Sequence, residues 1–380
     1  MNWKIPLFKI YWDAKDTTAV TRVIRRGTYW TMGPEIDQLE TSIAHFIGDK
    51  YGVSFNSGTS ALHATLLANN IKNGDEVIVP SFTFIATANV VVLTGATPVF
   101  ADIEPHSYAL DPEDVKERIT NKTKALLPVH YGGSPCKEIK ALQEIAADYH
   151  LLFIEDACES LGAKLQGKKV GTFSDAAVFS FCQNKVITAG EGGMVVTDSK
   201  TIAEKLRLIR SHGRVESKEG YFATTQDLDY IQTGYNYRLP SINAALIQSQ
   251  FNKFNTIVSM RREKAAYYTK HLGQIPGIRT PTEEKGDYHV YQLYTIELPD
   301  KTTRDNLQHH LTRAGIMTKI YFEPIHLKTY YQQDFHYKKN DLPHTEDIAQ
   351  KVLTLPIYPS LTKKEMNYII ATIKKGWKQI

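Results

Sequence analysis

Residues 175–198 read DAAVFSFCQNKVITAGEGGMVVTD, two β-rich runs around a loop that holds Lys185 and the turn Ala189-Gly190-Glu191-Gly192-Gly193. A lysine between strands is ordinarily solvated, so the neighbours decide what this one does. Upstream, short apolar runs recur: YGVSF (51–55), DEVIVP (75–80), TPVFAD (97–102), KALLPVH (124–130) and LLFIED (151–156). Helical stretches separate most of them. With 175–181 and 192–198 this makes seven strands, and the alternation predicts an α/β unit built on a mostly parallel sheet covered by helices.

In such sheets ligands collect beyond the carboxyl ends of the strands, and polar residues of this chain stand at those ends. YGVSF runs into Asn56, Ser57, Gly58, Thr59 and Ser60, small residues opening a helix whose amides and hydroxyls suit an anion. Taken alone, that cluster is equally an ordinary N-cap. LLFIED ends on Asp156, a shielded carboxylate that calls for a cationic partner such as a protonated pyridine nitrogen. Phe82 and Phe84 alternate after Pro80, so one of them can cover a flat ring. Lys185 leaves the same edge, with Ser180 beside it, and partial desolvation is expected to lower its pKa toward that of an imine-forming amine. Each feature is commonplace by itself, but together they supply the separate parts of one pyridoxal-phosphate site.

The chain of 380 residues exceeds what one hydrophobic core usually serves, which predicts two domains. From Ser241 to about Leu272 the apolar spacing predicts one long helix leaving the first, with a boundary near residue 250. A strand (289–299), a helix (303–315), a strand (317–325) and terminal helices then predict a smaller α+β domain over 251–380. The formal charge of +4 is interleaved, with no basic block that would mark a nucleic-acid partner. Three cysteines without metal spacing suggest a reducing, cytoplasmic setting and no metal site. The opening segment lacks the apolar core of a signal peptide, and no run is apolar enough to span a membrane.

Longer stretches carry a resemblance. GTYWTMGPEIDQLE, NSGTSALHATL, GDEVIVPSFTFIATANVV, FIEDACESLGA, FSFCQNKVITAGEGGMVVTD and GYNYRLPSINAAL, in this order, resemble the DegT/DnrJ/StrS-type sugar aminotransferases of fold type I. The resemblance implies that Lys185 forms the Schiff base with pyridoxal 5'-phosphate, Asp156 pairs with its ring nitrogen and Phe84 stacks on the ring. Gly58, Thr59, Ser60 and Ser180 are implied to hold the phosphate. Asn236 is implied to reach the cofactor of a neighbouring subunit in a homodimer, with Arg238 assisting. Glu159 stands where many relatives have His or Gln, a choice that resembles perosamine synthases. Tyr29, Glu159, Arg238 and His326 are the expected substrate contacts. L-glutamate is the implied amino donor and a nucleotide-linked 4-keto-6-deoxy sugar the acceptor, with ping-pong kinetics. A 3-keto sugar or cyclitol acceptor, or a regulatory protein that binds the cofactor without turnover, is the alternative.

Overall fold

The computed structural model describes residues 3–215, 224–225 and 227–378. Its strands in chain order are β1 (Tyr51–Phe55), β2 (Glu76–Pro80), β3 (Thr97–Ala101), β4 (Thr123–Leu126), β5 (Leu152–Asp156), β6 (Lys164–Leu165), β7 (Lys168–Lys169), β8 (Ala176–Ser180), β9 (Gly193–Thr197), β10 (Tyr294–Glu297) and β11 (Val352–Leu355). A seven-stranded sheet has the order β1-β9-β8-β5-β4-β2-β3. β3, β2, β4, β5 and β8 pair in parallel, whereas β9 runs against both β8 and β1. The sheet expected from the apolar runs is therefore present, with one reversed strand.

These strands read as apolar runs because both faces are covered. Ala176 and Val178 of β8 enter one core with Val53, Val77 and Ile154, while Ala177 and Phe179 enter the opposite core with Leu39, Met194 and Val196. The helix Gly58–Ala68 lies against the sheet with nearly every residue buried. Beside it, the buried Glu40 fastens β1: its Oε1 accepts from the Ser54 amide and hydroxyl, both at 2.8 Å, and from Arg210 Nη1 at 2.6 Å.

Three expectations fail, two of them for reasons that lie outside their own segments. The long helix is two helices, Ser241–Phe251 and Phe254–Leu272. They break where Lys253 leaves the ladder and its ammonium reaches Asp16 at 2.7 Å and Asp13 at 3.0 Å. Only Tyr294–Glu297 of the run 289–299 pairs as a strand, because the amides of Val290 and Leu293 bond instead to Gly133 and Gly132 of the large sheet's loops. The run 317–325 forms no strand beyond a single bridge from Lys319 to Thr354.

A separate core gathers Tyr268, Tyr294, Leu307, Leu353, Ile369 and their neighbours around β10 and β11. Ile5 belongs to it, held by bonds from its amide to Gly315 and from Met317 to its carbonyl. We propose the division into a large and a small unit at residues 252–253, with the first residues of the chain assigned to the small unit.

Candidate active site

The site forms at the carboxyl ends of β1, β2, β5 and β8. After β1, Ser57 caps the helix Gly58–Ala68 through a reciprocal capping box with Ser60. Ser60 Oγ accepts from the Ser57 amide at 3.1 Å and donates to Asn56 Oδ1 at 2.6 Å, so its hydroxyl is engaged in the cap. Thr59 is exposed on the first turn. Gly58 is needed for packing: a Cβ there would stand 2.9 Å from Ser180 Cβ and 3.2 Å from Cys158 Sγ. That absent methyl brings Ser180 against the helix N-terminus, where unpaired amides and the helix dipole favour an anion.

Asp156 ends β5 at 4% exposure. Its Oδ2 accepts from Thr87 Oγ1 at 2.8 Å and its Oδ1 from the Cys158 amide at 3.2 Å. Thr87 is in turn 3.1 Å from Thr83 Oγ1, one helical turn earlier. These partners fix the carboxylate without neutralising it. The sequence reading missed them, although hydroxyls four residues apart in SFTFIAT were a visible signal. Next to Asp156, Glu155 is fully buried and accepts from His130 Nε2 at 3.0 Å, from the amides of Gly171 and Phe173 and from Ser174 Oγ. It braces β5 from behind.

Lys185 lies in the loop between β8 and β9, its side chain 14% exposed. Nζ is 3.4 Å from Glu159 Oε1, while Glu159 Oε2 accepts from the Gly132 amide at 2.9 Å. The expected lowering of its pKa is not found. Burial does act to lower it, but its neighbours, foremost the Glu159 carboxylate that it also bonds, then the Cys158 thiol and Asp156, outweigh burial and hold it above the ordinary lysine value.

The two alternating aromatics separate cleanly. Phe82 is buried and stacks on Tyr131 with centroids 5.2 Å apart, leaving Phe84, 59% exposed, as the ring open to a ligand. His326 needs correction as a substrate contact. It is fully enclosed, with Nδ1 2.8 Å from Ser81 Oγ and Nε2 3.2 Å from Glu346 Oε1. With both nitrogens engaged, it braces the loop that carries Phe84. Tyr29 and Asn236 are exposed, and among the described residues no hydrogen bond or ion pair joins either to Lys185. The Asn236 carbonyl accepts from Asn56 Nδ2 at 3.3 Å, which lays the GYNYRLP segment beside the phosphate turn. Arg238 donates to Ser211 Oγ at 3.3 Å.

An amine, a fixed carboxylate, an anion-ready helix end and an open aromatic ring thus meet at one sheet edge. The model of the DegT/DnrJ/EryC1/StrS aminotransferase family matches residues 11–374. The chain belongs to that family. Among its family relatives is a GDP-perosamine synthase of Vibrio cholerae, 35% identical over 372 residues, which are 97% of this chain and 98% of that protein. Among solved structures, the Helicobacter pylori aminotransferase PseC, involved in the biosynthesis of pseudoaminic acid, is 30% identical. It superposes with a TM-score of 0.92 over 99% of this chain and all of that one. NtdA of Bacillus subtilis with bound PMP is 28% identical, with a TM-score of 0.86 over 96% of this chain and 82% of that one. The protein is a sugar aminotransferase whose cofactor is pyridoxal 5'-phosphate. Its own residues fit that group, since Ser180, drawn against the helix N-terminus at Gly58, suits the phosphate, and Asp156, held by a hydroxyl and an amide, suits a charged ring nitrogen. No helix among the described residues is long and apolar enough to cross a membrane.

Proposed function

We propose that this enzyme moves the amino group of L-glutamate onto a nucleotide-linked 4-keto-6-deoxy sugar for amino-sugar synthesis in the cytoplasm. The observation that carries the reading is Lys185 Nζ 3.4 Å from Glu159 Oε1, with Asp156 near enough for its charge to act on the same amine. Support for the acceptor comes from Glu159 and from the perosamine synthase relative.

Pyridoxal phosphate supplies an aldehyde that accepts the amino group and a ring that draws electrons from the donor's α-carbon. Lys185 would hold the group through its amine, and its Nζ would take and return the proton of the donor's α-carbon. Asp156 would keep the ring nitrogen protonated. The amides of Gly58 and Thr59, with the hydroxyls of Thr59 and Ser180, hold the phosphate, while Ser60 maintains the cap on which they depend. Phe84 covers the ring. Glu159 takes up the ammonium charge of Lys185 and flanks the sugar. Tyr29, Arg238 and Asn236 act at a shared edge of a homodimer, Asn236 toward the partner's cofactor.

Borohydride reduction followed by peptide mapping is expected to place the adduct on Lys185, and Lys185→Ala is expected to abolish the glutamate half-reaction. An adduct on another residue would remove Lys185 from this role. Incubating the aminated enzyme with a panel of nucleotide-linked 4-keto and 3-keto sugars, with NMR of the product, tests the acceptor; nitrogen found at C3 would refute the 4-keto reading.

A further inference from the structure

The C-terminal half of the chain touches the lysine loop at the residue just before Lys185. Gln292, 3% exposed, donates from Nε2 to the Asn184 carbonyl at 2.5 Å. Gln292 is itself pinned, because its carbonyl accepts from Arg261 Nη2 at 2.8 Å and that of Tyr291 from Arg261 Nε at 2.9 Å. Arg261, on the helix Phe254–Leu272, is 4% exposed, and among the described residues no carboxylate pairs with it. A cation buried in that way fastens on carbonyl oxygens, since they are the acceptors within its reach.

Tyr321 approaches from the other side. Its phenol interacts with the Asn184 side chain and lies within the fields of Lys185 and Glu159, while its carbonyl accepts from the Tyr131 hydroxyl. Asn184, Gln292 and Tyr321 meet around a gap of about 10 Å³, room for no more than one water. The Oε1 of Gln292 is buried without a partner. A glutamine kept there at the cost of an unsatisfied acceptor points to a use for its amide group.

We infer that Gln292 and Tyr321 are positioning residues that clamp Asn184 from the small unit, so that the backbone entering Lys185 is fixed by the C-terminal half of the chain. The inference rests on Lys185 being the amine of the proposed reaction. Gln292→Met keeps the buried volume and removes both polar ends, so a packing role alone would leave the lysine unchanged and the fold no less stable.

The test compares Gln292→Met and Tyr321→Phe with the parent in two assays. In cofactor-free protein, the acylation rate of Lys185 is followed by peptide mapping; in the second assay, the rate of recombination with pyridoxal phosphate is followed by visible absorbance. Expected are faster acylation and roughly tenfold slower recombination, with KM for glutamate held and kcat reduced, as misplacement of a reacting group predicts. Parent rates in both variants, with the borohydride adduct still on Lys185, would overturn the clamp and leave the proposed function intact; an adduct elsewhere would overturn the function instead. Should Gln292→Met fold poorly, the half-buried Tyr321→Phe decides the matter by the same two rates.

Discussion

At the scale of single residues, Asp156 was legible because it ends an apolar strand, and Lys185 because it stands in the loop that follows one, where a polar side chain has no packing task to explain it. The partners that give them their properties were not. Thr87 reaches Asp156 from the helix after β2, and the Gly132 amide reaches Glu159 from the loop after β4, both contacts that only the assembled sheet creates. His326 shows the converse, since a histidine between Pro324 and a tyrosine pair reads like a site residue, yet the fold encloses it between Ser81 and Glu346. The raised pKa of Lys185 also follows from assembly, burial being outweighed by three nearby groups. Replacing Glu159 by Gln removes the first of these charges and is expected to lower the pKa. Acylation of Lys185 in cofactor-free protein then proceeds faster at neutral pH, and its pH midpoint moves down; an unmoved midpoint would show that Glu159 does not set the lysine's charge.

Elements obeyed the sequence where both of their faces were covered by their own neighbours. β5, β8 and β9 are buried along nearly their whole length because they lie inside the sheet, and their apolar runs could be read off directly. The helix break at 252–253 could not, because the side chain responsible answers to Asp13 and Asp16, some two hundred residues earlier. The same holds for the segment ahead of β10, whose amides are taken by the loop at Gly132–Gly133. The junction of β1 with its following helix yields a prediction. In Gly58→Ala the new methyl meets Ser180 Cβ at 2.9 Å and must displace it from the helix end. Affinity for pyridoxal phosphate is expected to fall roughly tenfold, the equivalent of about 1.4 kcal/mol, measured by equilibrium dialysis. Unchanged affinity would mean that Ser180 plays no part in holding the phosphate.

For the molecule as a whole, charge and exposure carry two further expectations. Trp12, Tyr29, Trp30 and Phe84 are all more than two-fifths exposed, and aromatic rings of this kind are enriched at subunit interfaces. Sedimentation is expected to find a dimer, and Asn236→Ala to weaken cofactor binding without dissociating it; an active monomer would refute both. Burial together with Asp198 and Glu155 raises the Asp49 carboxyl from 3.8 to about 7. The native state therefore keeps a proton that the unfolded chain releases near pH 3.8, and stability declines as pH climbs through that interval toward about 7. Asp49→Asn should raise stability above that interval by on the order of 1 kcal/mol, discounted because the carboxyl is partly open to water, with no gain below about pH 4. Equal denaturation midpoints for the two proteins in alkaline buffer would refute this.

The bond between Ile5 and the strandless segment at Gly315–Met317 has a consequence for how the enzyme is made. Ile5 leaves the ribosome roughly three hundred residues ahead of its partners, so the core they share closes late. Until those partners emerge, that apolar surface is available to chaperones or to neighbouring nascent chains. Removing the residues around Ile5 or those around Ile373 should therefore injure the same core, while the sheet that carries the lysine assembles without it.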